Sequence, residues 1–202
     1  MAAKSNLLNM TLVLTLTCLV CSALLAFAHA LTEEPIRKAA ADKLDRAIAV
    51  VVPAFDSTEA MKVECGGTES NCYKAVKDGE TVGYAFESTT SGFGGMLTVL
   101  VGITPDGKVY NTDVLVNNET PGLGVKCTEK NSLFRTQWEG LDPAVKILAV
   151  KQDNGDIDAI TASTITSRAY TLAVSNALSA FAAMAPETGE QAQNNEEGIE
   201  NE

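Results

Sequence analysis

From Leu7 to Leu31 the sequence carries no charged residue, and only Asn9, Thr11, Thr15, Thr17, Ser22 and His29 interrupt its apolar run. As a helix rising about 1.5 Å per residue, this stretch is roughly 37 Å long, enough to cross a bilayer with some tilt. Ala28-His29-Ala30 also reads as a signal-peptidase site. A signal core has about 7–15 apolar residues, and this run is longer, which favours a retained transmembrane anchor over residues 7–31 behind a short N-terminal segment, residues 1–6. Charge alone points the other way on orientation. Lys4 precedes the run, whereas Arg37, Lys38, Lys43 and Arg46 follow it, so the positive-inside rule would keep the rest of the chain in the cytoplasm.

The 202 residues suit one globular domain, residues 32–185, beyond the anchor. From Pro186 onward there are six acids and no base, with Ile199 the one large apolar residue. Such a segment lacks the apolar surface to offset its ordering entropy, so residues 186–202 read as an acidic disordered tail. Removing those six acids from the net charge of −11 leaves −5, ordinary for a domain and contrary to the basic patch that a nucleic-acid partner would require.

Ile36 to Val52 has helical spacing, with Ile36, Ala40, Leu44, Ala47, Ile48 and Val51 on one side and Pro53 as its stop. Tyr73–Val76 and Val82–Phe86 flank Lys77-Asp78-Gly79 as a hairpin. Met96–Ile103 and Lys108–Val116 flank Thr104-Pro105-Asp106-Gly107 as a second. Leu97, Val99 and Val101 alternate with Thr98, Leu100 and Gly102, so both faces of that strand are expected to be partly covered. Phe134 and Trp138 lie one helical turn apart within Lys130–Leu141 and read as core packing. Val145–Val150 reads as a strand, followed by the turn Asp153-Asn154-Gly155-Asp156.

Thr161, Ser163, Thr164, Thr166 and Ser167 place five hydroxyls in seven positions, and the pattern then turns helical. Ile165, Ala169, Leu172, Ala173, Ala177, Phe181 and Met184 fall on one predicted face. The hydroxyls therefore sit at a helix N-terminus, where free N–H groups hold phosphates and where a Ser or Thr also serves simply as an N-cap.

The segment Asp158-Ala159-Ile160-Thr161-Ala162-Ser163-Thr164 resembles the flavinylation motif of the FMN-binding domain found in the G subunit of Rnf electron-transport complexes and in the C subunit of sodium-translocating NADH:quinone reductases. Ala162 stands where that family usually has Gly, and Ser163 where it usually has Ala. The run Ser91-Gly92-Phe93-Gly94-Gly95 … Glu119-Thr120-Pro121-Gly122-Leu123-Gly124 resembles the second signature of the same domain. Leu31-Thr32-Glu33-Glu34-Pro35-Ile36 resembles the junction after the anchor of the Rnf G-subunit family.

This resemblance implies an α+β fold: one transmembrane helix, then one FMN-binding domain with a largely antiparallel sheet and flanking helices. It implies one FMN joined through its phosphate to Thr164, with Asp158, Thr161, Ser163, Glu119, Thr120, Gly122, Leu123, Gly124 and Ser91 as the other candidate cofactor contacts. It implies a flavin transferase for maturation, other membrane subunits of an Rnf-type complex as partners, and a single-pass protein of the cytoplasmic (inner) membrane with its domain on the extracytoplasmic side. The expected role is electron relay within a complex that couples ferredoxin and NAD redox chemistry to ion translocation. The C subunit of the sodium pump, or an anchored FMN-binding sensor or assembly protein, are the alternative roles.

The residues support no hydrolytic or metal chemistry of their own. His29 is the only histidine, and no Ser-His-Asp set or phosphate-cradling Walker loop is present. The glycine run at Gly92 opens no helix and so is not a dinucleotide fingerprint. Cys18 and Cys21 lie inside the apolar run and read as lipid- or partner-facing, with no second ligand pair for zinc. Cys65 and Cys72 could close a short loop as a disulfide in an oxidising space, leaving Cys127 over. Arg168, one turn beyond Thr164, could add a positive charge for a phosphate.

Overall fold

The computed structural model describes residues 7–196, with side chains to Met184. The chain divides into two units, residues 1–43 and 44–202.

The first helix, α1, runs Leu7–Val51 without interruption. Its Leu7–Lys43 portion is exposed throughout, and it contains a window long and apolar enough to cross a membrane. The hydroxyls that interrupt the run do not leave stray polar groups. Thr11 donates to the Leu7 carbonyl (2.9 Å), Thr15 to that of Thr11 (2.8 Å) and Ser22 to that of Cys18 (2.6 Å). Each polar atom is thus satisfied within the helix, as an apolar solvent demands. The sequence reads here as an anchor over residues 7–31 and a separate helix over Ile36–Val52. The structure instead carries Pro35 inside one helix, losing only the N–H that the Leu31 carbonyl would otherwise accept.

The second unit is built on a five-stranded antiparallel sheet in simple meander order: β1 (Ser57–Cys65), β2 (Thr68–Lys77), β3 (Glu80–Ser91), β4 (Met96–Ile103) and β5 (Val109–Asn117). Both predicted hairpins are present. β1 is not predicted; its charged, exposed residues hide the alternation that usually marks a strand. Two-residue turns close the first two hairpins, with positive φ at Gly66 and Gly67 and at Asp78 and Gly79, the geometry that matches the twist of antiparallel strands. The first hairpin also separates Cys65 from Cys72. Cys65 pairs with Thr68 and Cys72 with Met61. Four residues along the ladder amount to about 13 Å, well beyond the roughly 4.4–6.8 Å between the Cα atoms of a disulfide. Both thiols are buried and free.

Both faces of the sheet are covered, as the sequence of β4 predicts. Phe86, Leu97, Val99, Val101 and Ile103 pack against Tyr170, Ala173, Val174 and Ala177 of the long helix α3 (Thr164–Glu196). Ala85 and Leu100 meet Ala47, Ile48 and Val51 at the end of α1 on the other face. There the backbones nearly touch: a Cβ on Gly102 would lie 1.6 Å from the Val51 carbonyl oxygen.

Two further elements differ from the sequence reading. Val145–Val150 is not a strand. Val145 and Ile147 are exposed, and the backbone N–H groups there serve local turns, Val145 and Lys146 donating to the Asp142 carbonyl and Ile147 to the Asp156 carboxylate. Only Val150 joins a ladder, as a single parallel bridge to Ile157. The buried face of α3 keeps Ala169, Ala173 and Ala177 of the predicted residues, with Phe181 and Met184 packed against the core, and departs from the prediction at two positions. Ile165 and Leu172 are exposed, and Thr166, Ser167, Tyr170 and Val174 are buried instead. Sequence periodicity misses this because the first turn buries hydroxyls that have hydrogen-bond partners. The backbone of α3 is helical to Glu196, into the segment whose acids predict disorder. Lack of apolar residues removes a core but not the intrinsic helix preference of Glu, Gln and Ala; residues 197–202 lie outside the described residues.

A short helix, α2 (Leu133–Thr136), starts at Ser132, whose hydroxyl accepts from the Arg135 N–H. It delivers Phe134 and Trp138 to the core, where Trp138 stacks on Tyr170 at 5.5 Å and Phe134 meets Tyr170 edge-on at 5.1 Å. These aromatics are packing, as their spacing predicts.

Candidate functional site

A cavity of about 380 Å³ opens where the first turn of α3 meets the two glycine-rich loops. Its lining is Ala162, Ser163, Thr164, Ile165 and Thr166 from the helix start, Glu119, Thr120, Leu123 and Gly124 from the second loop, and Phe93 from the first. Segments about 70 residues apart in sequence are thus brought to one place.

The helix start is held by a small network. The Ser163 N–H donates to the Ile160 carbonyl (3.0 Å), the Ile160 N–H to Ser167 Oγ (2.9 Å), and Ser167 Oγ to the Ser163 carbonyl (2.9 Å). The first backbone bond into the helix comes from the Ser167 N–H. The N–H groups of Thr164, Ile165 and Thr166 precede it and are the ones a helix N-terminus presents to an anion. The chain reaches this turn through Ala162 at φ +61°, a left-handed conformation that costs a side-chain-bearing residue roughly 1–2 kcal/mol. That geometry gives a physical reason for glycine in the motif this segment resembles.

The five hydroxyls have different fates. Thr161 is exposed and outside the cavity lining. Ser167 is buried in the network just described, and Thr166 is buried with its hydroxyl donating to Glu119 Oε2 at 2.9 Å. Ser163 is buried, and its Oγ has no hydrogen-bond partner. Thr164 alone of the five both lines the cavity and is partly exposed.

Glu119 is the hub on the opposite wall. Though only 6% exposed, it accepts hydrogen bonds from the N–H of Phe93 (2.9 Å) and of Gly94 (3.3 Å) as well as from Thr166. Its own N–H donates to Asn117 Oδ1 (2.8 Å). Behind the loop, burial pushes the Cys127 thiol up to about 11, and the Glu119 charge adds to the effect.

The structure therefore gathers Glu119, Thr120, Leu123, Gly124, Ser163 and Thr164 of the predicted contacts. Ser91, Gly122, Asp158 and Thr161 fall outside the lining. Asp158 is exposed and pairs with Lys151 (2.7 Å), while its backbone N–H and carbonyl are both held by the Gln137 amide. It braces the segment before the turn. Gly122 has positive φ, and open space surrounds its missing Cβ. Arg168 is committed to Asp153 through two bonds of 2.7 Å, so it is not a charge for the cavity. Phe93, Ala162, Ile165 and Thr166 are lining residues that are not among the expected cofactor contacts. Phe93 carries a signal, a large exposed aromatic between glycines; Ile165 is hidden by its assignment to the core face.

Phe93 is more than half exposed, Ile165 half and Leu123 nearly half, so they offer an apolar wall to a flat ring. The first turn of α3 offers N–H groups and a helix dipole to a phosphate. The volume lies within the roughly 300–1,000 Å³ of small-molecule sites. An FMN fits this combination.

The FMN-binding domain family matches residues 92–179, a range that contains the Asp158–Thr164 segment and all of the second signature but Ser91. The G subunit of the ion-translocating oxidoreductase complex of Shewanella baltica is 30% identical over 87% of this chain and 89% of its own length. Its counterpart from Cereibacter sphaeroides is 32% identical over 88% and 85% respectively. The G subunit of the proton-translocating ferredoxin:NAD(+) oxidoreductase complex of Clostridium ljungdahlii is 28% identical over 87% and 91%. Among solved structures, the crystal structure of Shewanella oneidensis NqrC covers 62% of this chain and 65% of its own, at 19% identity and a TM-score of 0.44. The matches at 30% identity and above over most of both chains settle the assignment: this chain belongs to the G-subunit family of ion-translocating (Rnf) oxidoreductase complexes.

Proposed function

We propose that this chain is a membrane-anchored flavoprotein subunit that carries one FMN on Thr164 and relays electrons to neighbouring membrane subunits of an Rnf-type complex. The observation that carries the reading is the sorting of the hydroxyls. Of the five at the helix start, Thr164 is the one both in the cavity and reachable from solvent. An unassisted threonine is a weak nucleophile, so a separate flavin transferase installs the group. With FAD as donor, the bond from Thr164 Oγ1 to the FMN phosphorus forms as the pyrophosphate bridge breaks. AMP leaves with the bonding pair, and the hydroxyl proton passes to the transferase. Once attached, the flavin supplies the redox chemistry, and this chain's residues hold and orient it. The phosphodiester keeps one negative charge at the α3 N-terminus, a contact worth roughly 0.3–1 kcal/mol.

The anchor is the Leu7–Leu31 part of α1, and lipid covers the apolar side chains it exposes. The domain stands on the extracytoplasmic side, as the family resemblance implies; the contrary charge count carries little weight, since long domains translocate largely regardless of that bias.

Two measurements test this. Denatured protein from its native membrane should fluoresce as a gel band; Thr164→Ala should abolish that signal, while Thr161→Ala, Ser163→Ala and Thr166→Ala keep at least part of it. A fluorescent Thr164→Ala band would overturn the attachment site. Protease added outside a permeabilised outer barrier should digest the domain while cytoplasmic proteins survive; protection would place the domain inside.

A further inference from the structure

The glycines of the two loops leave room chiefly for a carboxylate. A Cβ built on Gly92 would lie 1.9 Å from Glu119 Oε1, and one on Gly124 would lie 2.6 Å from Glu119 Oε2 and 2.8 Å from Thr166 Oγ1. On Gly94 it would meet the Asn118 carbonyl oxygen at 2.0 Å. These contacts are with the protein itself, so the two loops are fitted around Glu119. The donors that reach Glu119 come from both sides of the cavity, the Phe93 and Gly94 N–H groups on one and the Thr166 hydroxyl, two residues beyond Thr164, on the other. A buried carboxylate has acceptors to spare for three donors, whereas a neutral amide would turn an NH₂ group toward one of them. No lysine or arginine lines the cavity.

We infer that Glu119 is the positioning residue of flavin attachment, its carboxylate pinning the 92–95 loop to the first turn of α3 so that the Thr164 hydroxyl is presented to the transferase in one geometry. This rests on the attachment proposed above and assigns a role to a residue that itself gains and loses no bond. The chemistry fixes an order among variants. Asp keeps the charge and all acceptors but is one methylene short. Gln keeps the volume but loses the charge and sets an N–H against N–H donors. Attachment should therefore rank Glu above Asp above Gln, whereas a residue that merely fills space would rank Gln above Asp.

The test uses full-length protein in detergent with purified transferase, FAD and magnesium, and reads the initial rate of covalent labelling from gel fluorescence. Glu119→Gln should label on the order of tenfold more slowly than wild type, with Glu119→Asp between them. Gly124→Ala, which would press on the same carboxylate, should also slow labelling. In parallel, amide exchange is measured in the flavin-free Thr164→Ala background. There Glu119→Gln should speed exchange at Phe93 and Gly94 about tenfold. Labelling of Glu119→Gln at the wild-type rate, Gln outranking Asp, or unchanged exchange at those two amides would each overturn the assignment. Wild-type protein that takes no flavin at all would instead defeat the attachment reading, and the exchange arm would still judge the clamp.

Discussion

Ser163→Ala sets two rules against each other, and the structure decides the sign. Ser immediately before a helix is the favoured cap, and replacing it with Ala ordinarily costs about 1 kcal/mol. Here that hydroxyl makes no cap bond. Ser163 is 7% exposed and its Oγ has no hydrogen-bond partner. A buried polar group left unsatisfied costs about 1–3 kcal/mol, and removing one oxygen leaves little void. The substitution should therefore stabilise the domain by about 1 kcal/mol, which for a domain of this size is a rise of roughly 2–4 °C in Tm. The assay is thermal unfolding of Thr164→Ala against the Ser163→Ala/Thr164→Ala double variant, because a bound flavin would add its own binding energy to the apparent stability. A fall in Tm for the double variant would mean that the hydroxyl does cap the helix, and the reasoning about the orphaned oxygen would be wrong.

Other expectations follow from burial. Desolvation pushes the thiol of Cys72 up to about 12 and that of Cys127 up to about 11. Between about pH 9 and 11 the unfolded chain releases thiol protons that the native state keeps, so stability should fall as pH rises through that window; urea midpoints that rise there would contradict it. In the native protein near pH 8 neither thiol should react with iodoacetamide, and after unfolding without reductant both Cys65 and Cys72 should be alkylated, whereas a disulfide would block them. On α3, Leu172→Gln should change stability by no more than about 0.5 kcal/mol, while Val174→Ala, which removes two buried methyl groups, should cost about 2 kcal/mol by urea unfolding; equal costs would restore the helix face that periodicity alone predicts.

Much of this architecture is legible in the sequence because the strongest signals are local. Asp78-Gly79 and Pro105-Asp106-Gly107 mark hairpins through backbone geometry that few residues adopt, and both hairpins are present. The long apolar helix is legible from length and lack of charge. What escapes is decided by neighbours far along the chain. Ile165 and Leu172 have the right spacing for a core face, yet Thr166 and Ser167 are buried in their stead because Glu119 and the Ser163 backbone accept their protons. Val145 and Ile147 look like a strand, but Asp142 and Asp156 capture that segment's backbone in turns. The helix over Ile36–Val52 reads as separate from the apolar run because nothing local says that α1 continues through Pro35. At the site, the position count from Asp158 reaches Thr164, and the resemblance brings in both loops. The role of Gly92 and Gly124 is not legible, since only coordinates show that their missing side chains make room for Glu119.

The central claim is that one of five neighbouring hydroxyls carries the flavin. It is tested most directly by peptide mass mapping of wild-type protein taken from its native membrane. The account predicts that the peptide holding residues 161–167 gains one FMN phosphoryl group, and that fragmentation places it wholly on Thr164. The same mass on Ser163 or Thr166, or no added mass on that peptide in protein purified with its complex, would contradict it.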